Sequence, residues 1–547
     1  SLKEDYIYNI LSYWSLNNGN GVAIGDVNND TWPDFYVTSS FGPNRLYINL
    51  GNFQFLDATR MAGVPAPEGY KSGVSMADVN GDGLLDIYVC RTGRAEDKNK
   101  TNHLFINKGN QSYKGIPIPV FEDKAVEMGL DDNSTSNYAC FFDMDKDGDL
   151  DLFLLNHRID FPDAAKIRLS QAPDGSRKRI TTPRNSYESN RLYRNDGSRF
   201  TDVTGKAGVA SSAFGLSVTP ADINQDGWTD LYVANDFIEP DFIYINNHDG
   251  TFTDHYHEYL KHSSLSSMGS DVTDINNDGL KDFIIVDMKV NDHIRYKQIA
   301  TTMQYDRYSI LVQNGYGRQD ARNMLQLGVG NSSWIDVGQY AGIAATDWSW
   351  NPVVCDLNND GWKDIYITNG YRRDITDQDY TNFVRDSILK TKTITPKEFP
   401  DIYDYLKFIP EKRISNFLYI NNHNLTFSDQ TQAAGLSLPS YSNGAAYVDL
   451  DKDGDLDMIV QNFEDPLYIY RNDITGTNWL QIIPIPDQPN HTVLGTQVEI
   501  RNAGMRQYLE HNPYKGFLSS SEPLIHFGLG TSTMIDTIIL SWPDGQK

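Results

Sequence analysis

The sequence predicts an all-β fold: a seven-bladed β-propeller followed by a small C-terminal β domain. Three observations predict it. A nine-residue aspartate pattern recurs seven times, short apolar runs flank the copies, and a second recurring phrase reads as a further hairpin. At 547 residues the chain exceeds one compact core, so a large repeat architecture or several domains is expected. The 42 Gly and 32 Tyr, with abundant Asn and Asp, suit short strands joined by tight turns.

The pattern has an acid at the first position, Asp or Asn at the third, and Asp at the fifth and ninth. Its copies are DVNNDTWPD (Asp26, Asn28, Asp30, Asp34), DVNGDGLLD (Asp78, Asn80, Asp82, Asp86) and DMDKDGDLD (Asp143, Asp145, Asp147, Asp151). DINQDGWTD (Asp222, Asn224, Asp226, Asp230) and DINNDGLKD (Asp274, Asn276, Asp278, Asp282) follow. The last two are DLNNDGWKD (Asp356, Asn358, Asp360, Asp364) and DLDKDGDLD (Asp449, Asp451, Asp453, Asp457). Runs such as GVAIG before a loop and FYVTS after it read as the first two strands of a repeat. Phrases such as NRLYINLGNFQFLD, NHLFINKGN and NFLYINNHNLTFSD read as a third strand, an Asn/Gly turn and a fourth strand. Four antiparallel strands repeated radially make a propeller, expected over residues 1–473, with the tail domain over 474–547.

Successive first aspartates are 52, 65, 79, 52, 82 and 93 residues apart. The excess lies in insertions at 156–189, 291–322 and 370–415, each between the second and third strands of its repeat. All three are therefore expected on the face opposite the aspartate loops.

Carboxylate and amide oxygens at alternating positions of a tight loop suit Ca²⁺, which takes six to eight oxygen ligands. Position six is Gly in six loops, where a positive φ carries little steric cost, and Thr31 in the first, which makes that site the least regular. The loops hold 25 aspartates, whose mutual repulsion a cation would relieve. Up to seven Ca²⁺ are expected, one per blade, and filling all seven would take the formal charge from −26 to −12. Sites of this kind suit millimolar calcium outside the cytoplasm. The acidic balance, 73 acidic against 47 basic residues, speaks against nucleic acid as a partner. No run of 18 apolar residues is present. Cys90, Cys140 and Cys355 sit in strand-like runs and are expected as buried thiols.

The loops with their flanking strands resemble the FG-GAP/VCBS repeats of integrin-α-like propellers. The tail, from NWLQIIPIP at Asn478 through GFLSSSEPLIHFGLG to SWPDGQ, looks like an ASPIC/UnbV domain. The combination resembles bacterial (Bacteroidota) relatives of cartilage acidic protein. The resemblance implies a non-catalytic cell-surface scaffold at the outer membrane of a Gram-negative bacterium, an accessory subunit beside uptake or export machinery with a protein partner there. Relatives of this kind are often lipoproteins, although no lipid-attachment Cys opens this sequence. The family pattern further implies that the tail continues beyond Lys547, and that an FxDxT strand should precede the first loop to close the ring. None does, so residues 5–12 (DYIYNILS) are expected to close the ring in some other way, unless residues before Ser1 do so.

First strands line a propeller's channel, so Asn20, Ser72, Asn137, Leu216, Met268, Trp350 and Asn443, six before each first aspartate, are expected at its mouth. Trp348 and Trp350, with Tyr371, Arg372, Arg373 and Asp374, form a candidate ligand patch for a glycan or peptide; the alternative is that the tryptophans pack beneath the last insertion. A basic stretch, Ser176–Arg179 with Lys166, Arg168 and Arg184 nearby, is a second candidate, for an acidic glycan or lipid headgroups; the alternative is a solvated loop. No GxSxG, HExxH or phosphate-loop motif is present. A calcium-dependent polysaccharide lyase or glycan-binding protein is the first alternative, and an integrin-like adhesin the second.

Overall fold

The computed structural model describes residues 4–94, 97, 100–158, 166–171, 173–175, 177–183, 185–299, 305–390, 392–486 and 491–546. Ser176 and Arg184 of the basic stretch lie outside them.

Each aspartate loop joins two antiparallel strands, because apolar runs on both sides of a sharp turn can only bury themselves by pairing. In sheet 1, Val22–Gly25, Asp34–Val37, Arg45–Asn49 and Phe55–Asp57 pair in chain order. Among the described residues, five more four-stranded sheets repeat that order, and a three-stranded one follows. Their first strands are Tyr70–Ala77, Ser136–Phe142, Phe214–Ala221, Ser270–Thr273, Ser349–Cys355 and Ser442–Val448. Each first strand packs on the next, and Ser442–Val448 packs back on Val22–Gly25, so the seven sheets form a closed ring with first strands innermost. The first and second strands are almost wholly buried, since neighbouring sheets cover both faces; this is why they read as unbroken apolar runs and not as alternation.

The fourth strand of sheet 1 ends in an Asp-capped turn: Asp57 accepts from the Thr59 amide at 3.1 Å before the short helix Thr59–Ala62 leads to the next sheet. In sheet 2 the turn expected at Lys108–Asn110 is a bulge. The hairpin runs on through His103–Tyr113 and Ile116–Asp123 and turns at Lys114–Gly115, both at positive φ, because alternating residues extend the pairing.

The three insertions leave second strands and return to third strands, as their position in the sequence requires. They pack on one another: Arg295 of one reaches Asp374 of another at 2.7 Å and also holds Asp347 at 2.6 Å. Residues 5–12 form bends and turns and add no strand to the last sheet; the ring closes by the packing of Ser442–Val448 on Val22–Gly25. The Asp5 carboxylate accepts from the amides of Ile7 and Tyr8, both at 2.7 Å, which curls the segment locally. Tyr13 and Leu16, with the 3₁₀ turn Trp14–Asn17, are buried in the largest core cluster.

The tail domain pairs Asn478–Ile482 with Ile525–Gly530, and Gln497–Asn502 with both Met505–Glu510 and Thr537–Ser541. It sits on the aspartate-loop face, and its segment 514–521 enters the ring. Tyr514, Phe517 and Leu518 are fully buried there with Met268 and Trp350.

Candidate metal centres and the docked tail

The ninth-position aspartate anchors each loop. Asp34, Asp86, Asp151, Asp230, Asp282, Asp364 and Asp457 are all buried. In every one, Oδ2 accepts from the amide of the second loop residue, for example Val27 at 3.2 Å and Ile275 at 2.8 Å. Oδ1 accepts from the amide at the end of the third strand, as from Asn49 and Asn246, both at 2.8 Å. The first-position carboxylate folds the turn inward: Asp78 accepts from the Asp82 and Gly83 amides at 3.1 and 2.7 Å. The sixth residue lies in the left-handed region throughout, from φ 83° at Gly83 to 96° at Gly148, and Thr31 adopts it too at 79°.

The third position divides the loops into two kinds. In five, an Asn amide donates to the fifth-position carboxylate, as Asn80 to Asp82 at 3.0 Å and Asn358 to Asp360 at 3.0 Å. In the other two, Asp145 and Asp451 bring a further negative charge in place of that donor. There Asp143, Asp145 and Asp151, and likewise Asp449, Asp451 and Asp453, each offer one oxygen within 4.8 Å of the others. Oδ1 of Asp145, Asp149, Asp449, Asp451 and Asp455 is buried without a hydrogen-bond partner. Burial, then repulsion from neighbouring aspartates, pushes Asp143 up to about 6 and Asp149 up to about 7. Burial and the hydrogen bond to Asp453 push Asp455 up to about 8. Convergent, buried and unpartnered hard oxygens fit a divalent cation with oxygen preference.

A second repeated device has no signature of its own in the sequence. The Asn closing the third strand reads there as part of a turn; in the structure its side chain reaches the preceding sheet. Asn107 Nδ2 donates to the Val27 carbonyl at 2.8 Å, Asn246 to Met144 at 2.8 Å and Asn472 to Leu357 at 2.7 Å. Asn49 donates to Leu450 at 2.9 Å, across the joint where the ring closes. Sheet 5 has Gly328 at this place, and the Trp334 indole bonds the Lys281 carbonyl at 2.7 Å.

The tail docks on the loops themselves. Gln497 Nε2 donates to Asp222 Oδ2 at 2.8 Å and Gln481 Nε2 to Asp449 Oδ2 at 2.7 Å. Glu510 accepts from the Asp222 amide at 3.2 Å and Glu522 from the Asp449 amide at 3.0 Å. Lys281 pairs with Glu510 in a buried contact. His526 meets the Asn359 side chain at 2.6 Å, and the Thr492 amide donates to the Gly148 carbonyl at 2.8 Å. None of these tail residues carries a signal in the sequence, because single polar residues on short strands have no spacing to read.

The expected channel-mouth residues Asn20, Ser72, Asn137, Leu216, Met268, Trp350 and Asn443 are all buried. Trp350 packs on Phe517 at 4.9 Å and donates to the Gly370 carbonyl at 2.7 Å. Trp348 stacks on Tyr371 at 4.0 Å, and Tyr371 donates to the Trp14 carbonyl at 3.0 Å. Arg373 and Arg372 pair with Glu4, and Asp374 with Arg295. The six residues do come together, but as an internal knot. Of the two readings the structure has the packed one: these side chains lie against the N-terminal segment through Trp14 and Glu4 and against the tail through Phe517, not in an open patch. The three cysteines are buried and free.

Comparison with known proteins agrees with the repeat reading. An FG-GAP-like repeat model matches residues 26–89, 180–233 and 222–285, and an ASPIC and UnbV model matches 486–547. Cartilage acidic protein 1 of Mus musculus is 39% identical over 69 residues, 13% of this chain and 11% of that protein. The Homo sapiens protein is also 39% identical over 69 residues, 13% of this chain and 10% of its own length. The match thus spans about a tenth of those relatives. Among solved structures, an Agrocybe aegerita lectin that recognises non-reducing terminal N-acetylglucosamine aligns with TM-score 0.39 and 15% identity, covering 83% of this chain and 94% of that one. Bacillus licheniformis rhamnogalacturonan lyase PL11 aligns with TM-score 0.28 and 11% identity over 84% and 85%. The chain is all-β, with FG-GAP-like repeats matched over residues 26–89 and 180–285 and an ASPIC and UnbV domain matched over 486–547.

Proposed function

We propose that the chain is a calcium-stabilised, non-catalytic binding scaffold that works outside the cytoplasm, an accessory subunit of an outer-membrane uptake or export complex. The observation that carries the calcium part is the pair of five-aspartate loops, whose buried carboxylate oxygens lack partners. The integrin-like repeats and the kinship with cartilage acidic protein 1 support an extracellular setting. No helix among the described residues is long and apolar enough to cross a membrane.

The tail covers the loop face and fills the channel, which leaves the insertion-bearing face as the surface for a protein or glycan partner. A lyase reading calls for a basic residue open over the channel. Arg295, Arg372 and Arg373 there are engaged in ion pairs, which favours a scaffold. The test is a gentle detergent pull-down of the full-length protein from outer membranes in calcium and in EGTA. A stoichiometric membrane partner held only in calcium is the expected result; recovery of the protein alone in both would refute the accessory role.

A further inference from the structure

Six of the seven joints in the ring are crossed by the chain itself as it passes from one sheet to the next. The joint between sheet 7 and sheet 1 has no such connection, and sheet 7 has three strands among the described residues. Tail residues 519–522 lie at this joint and bond both sides. On sheet 1, the Ile24 amide donates to the Ser520 carbonyl at 3.1 Å, and the Ser520 amide to the Val22 carbonyl at 2.9 Å. On sheet 7, the Glu522 amide donates to the Tyr447 carbonyl at 3.3 Å, and the Tyr447 amide to Ser521 Oγ at 3.3 Å.

The same piece of tail grips the sheet-7 loop. Glu522 accepts from the Asp449 amide, while Gln481 donates to Asp449 Oδ2. Oδ1 of Asp449 stays buried and unpartnered, as do Oδ1 of Asp451 and of Asp455; Asp449 and Asp455 are each only 3% exposed. Asp449, Asp451 and Asp453 converge within 4.8 Å. One aspartate is thus held by the tail through one oxygen and its amide, keeps its other oxygen buried and unpartnered, and belongs to a cluster of converging carboxylates.

We propose that the sheet-7 loop is a composite divalent-cation site completed by the tail domain through Gln481 and Glu522, and that filling it fastens the joint where the ring closes. This rests on the calcium reading above. Gln481 and Glu522 act as positioning residues: they fix the Asp449 side chain and backbone in the arrangement the cation needs. Coupling of this kind is reciprocal, so whatever affinity the cation gains from the docked tail, the tail gains from the cation.

The test uses the intact chain with calcium as the probe. Calorimetric titration of the wild type, Gln481→Ala and Glu522→Ala should show one site weakened by about tenfold or more in each variant, the other sites keeping their affinity. Hydrogen exchange at the Ile24 and Ser520 amides should slow by about tenfold on adding calcium to the wild type. Asp451→Asn, which removes one of the converging carboxylates, should reduce that slowing. The proposal is overturned if the wild type binds calcium but both variants match it at every site, or if exchange at Ile24 and Ser520 ignores bound calcium. Absence of any calcium binding by the wild type would remove the calcium reading and this inference together. Should a variant fail to fold, the exchange measurement on the wild type decides alone.

Discussion

Thr31 shows what one residue costs in these loops. It holds φ 79°, the left-handed conformation that six other loops give to Gly. Thr31→Gly should therefore raise stability by up to about 1 kcal/mol in urea unfolding, the relief of left-handed strain less the added freedom of the unfolded chain. Asp451 makes a different case. Asp451→Asn would restore the amide donor that pins the fifth position in five loops, so it should raise the melting temperature in EGTA and shrink the increment that calcium adds. His157 carries a pH dependence. It is fully buried, its Nδ1 donates to the Arg158 carbonyl at 2.7 Å and its Nε2 accepts from Thr92, and burial pushes it down to about 4. The unfolded chain then binds more protons between the ordinary His value and 4. Stability is complete above about pH 6.5 and falls as pH drops toward 4, by about 3 kcal/mol for a shift of this size. His157→Gln should flatten that limb of the stability profile, as followed by urea unfolding across the pH range.

At the scale of the element, the aspartate loop and the third-strand Asn form a two-part joint between neighbouring sheets. Asn246→Ala would leave the Met144 carbonyl without its donor in a buried place and should cost about 1–3 kcal/mol by urea unfolding. The loops are legible in the sequence because their ligands recur at fixed spacing and their flanking runs are apolar. The position of the insertions is legible for the same reason, since any excess length must fall between recognised strands. The third-strand Asn stands in phrases such as LYIN and FIYIN, where an Asn beside a turn reads as turn chemistry and so gives its inter-sheet bond no signature of its own. Only the packing of two sheets reveals its second use. The sheet-2 hairpin departs from its sequence signal because Gly109, a turn residue by composition, serves as a bulge once the strands pair beyond it.

At the scale of the molecule, the ring is built by repetition and closed by pieces that do not repeat. The segment HNPYKGFLSSSE enters the channel with no periodicity to announce it, and its contacts join residues hundreds of positions apart. Small residues make room for it: a Cβ on Gly21 would collide with the Leu518 carbonyl, and one on Gly444 with Ser519 and Asn20. Trp350 reads as a ligand contact for a related reason; an aromatic residue on an inner strand has one sequence signature whether it faces a ligand or its own chain. On the proposed calcium reading, cations in the loops hold this assembly together. Each site filled to a hundred times its dissociation constant contributes about 2.7 kcal/mol. Calorimetric melting of the intact chain in millimolar calcium and in EGTA tests this most directly. A markedly higher melting temperature in calcium, lost on chelation and recovered on calcium addition, is the expected result; the same melting temperature in both would rule out cations as the fastening of the ring.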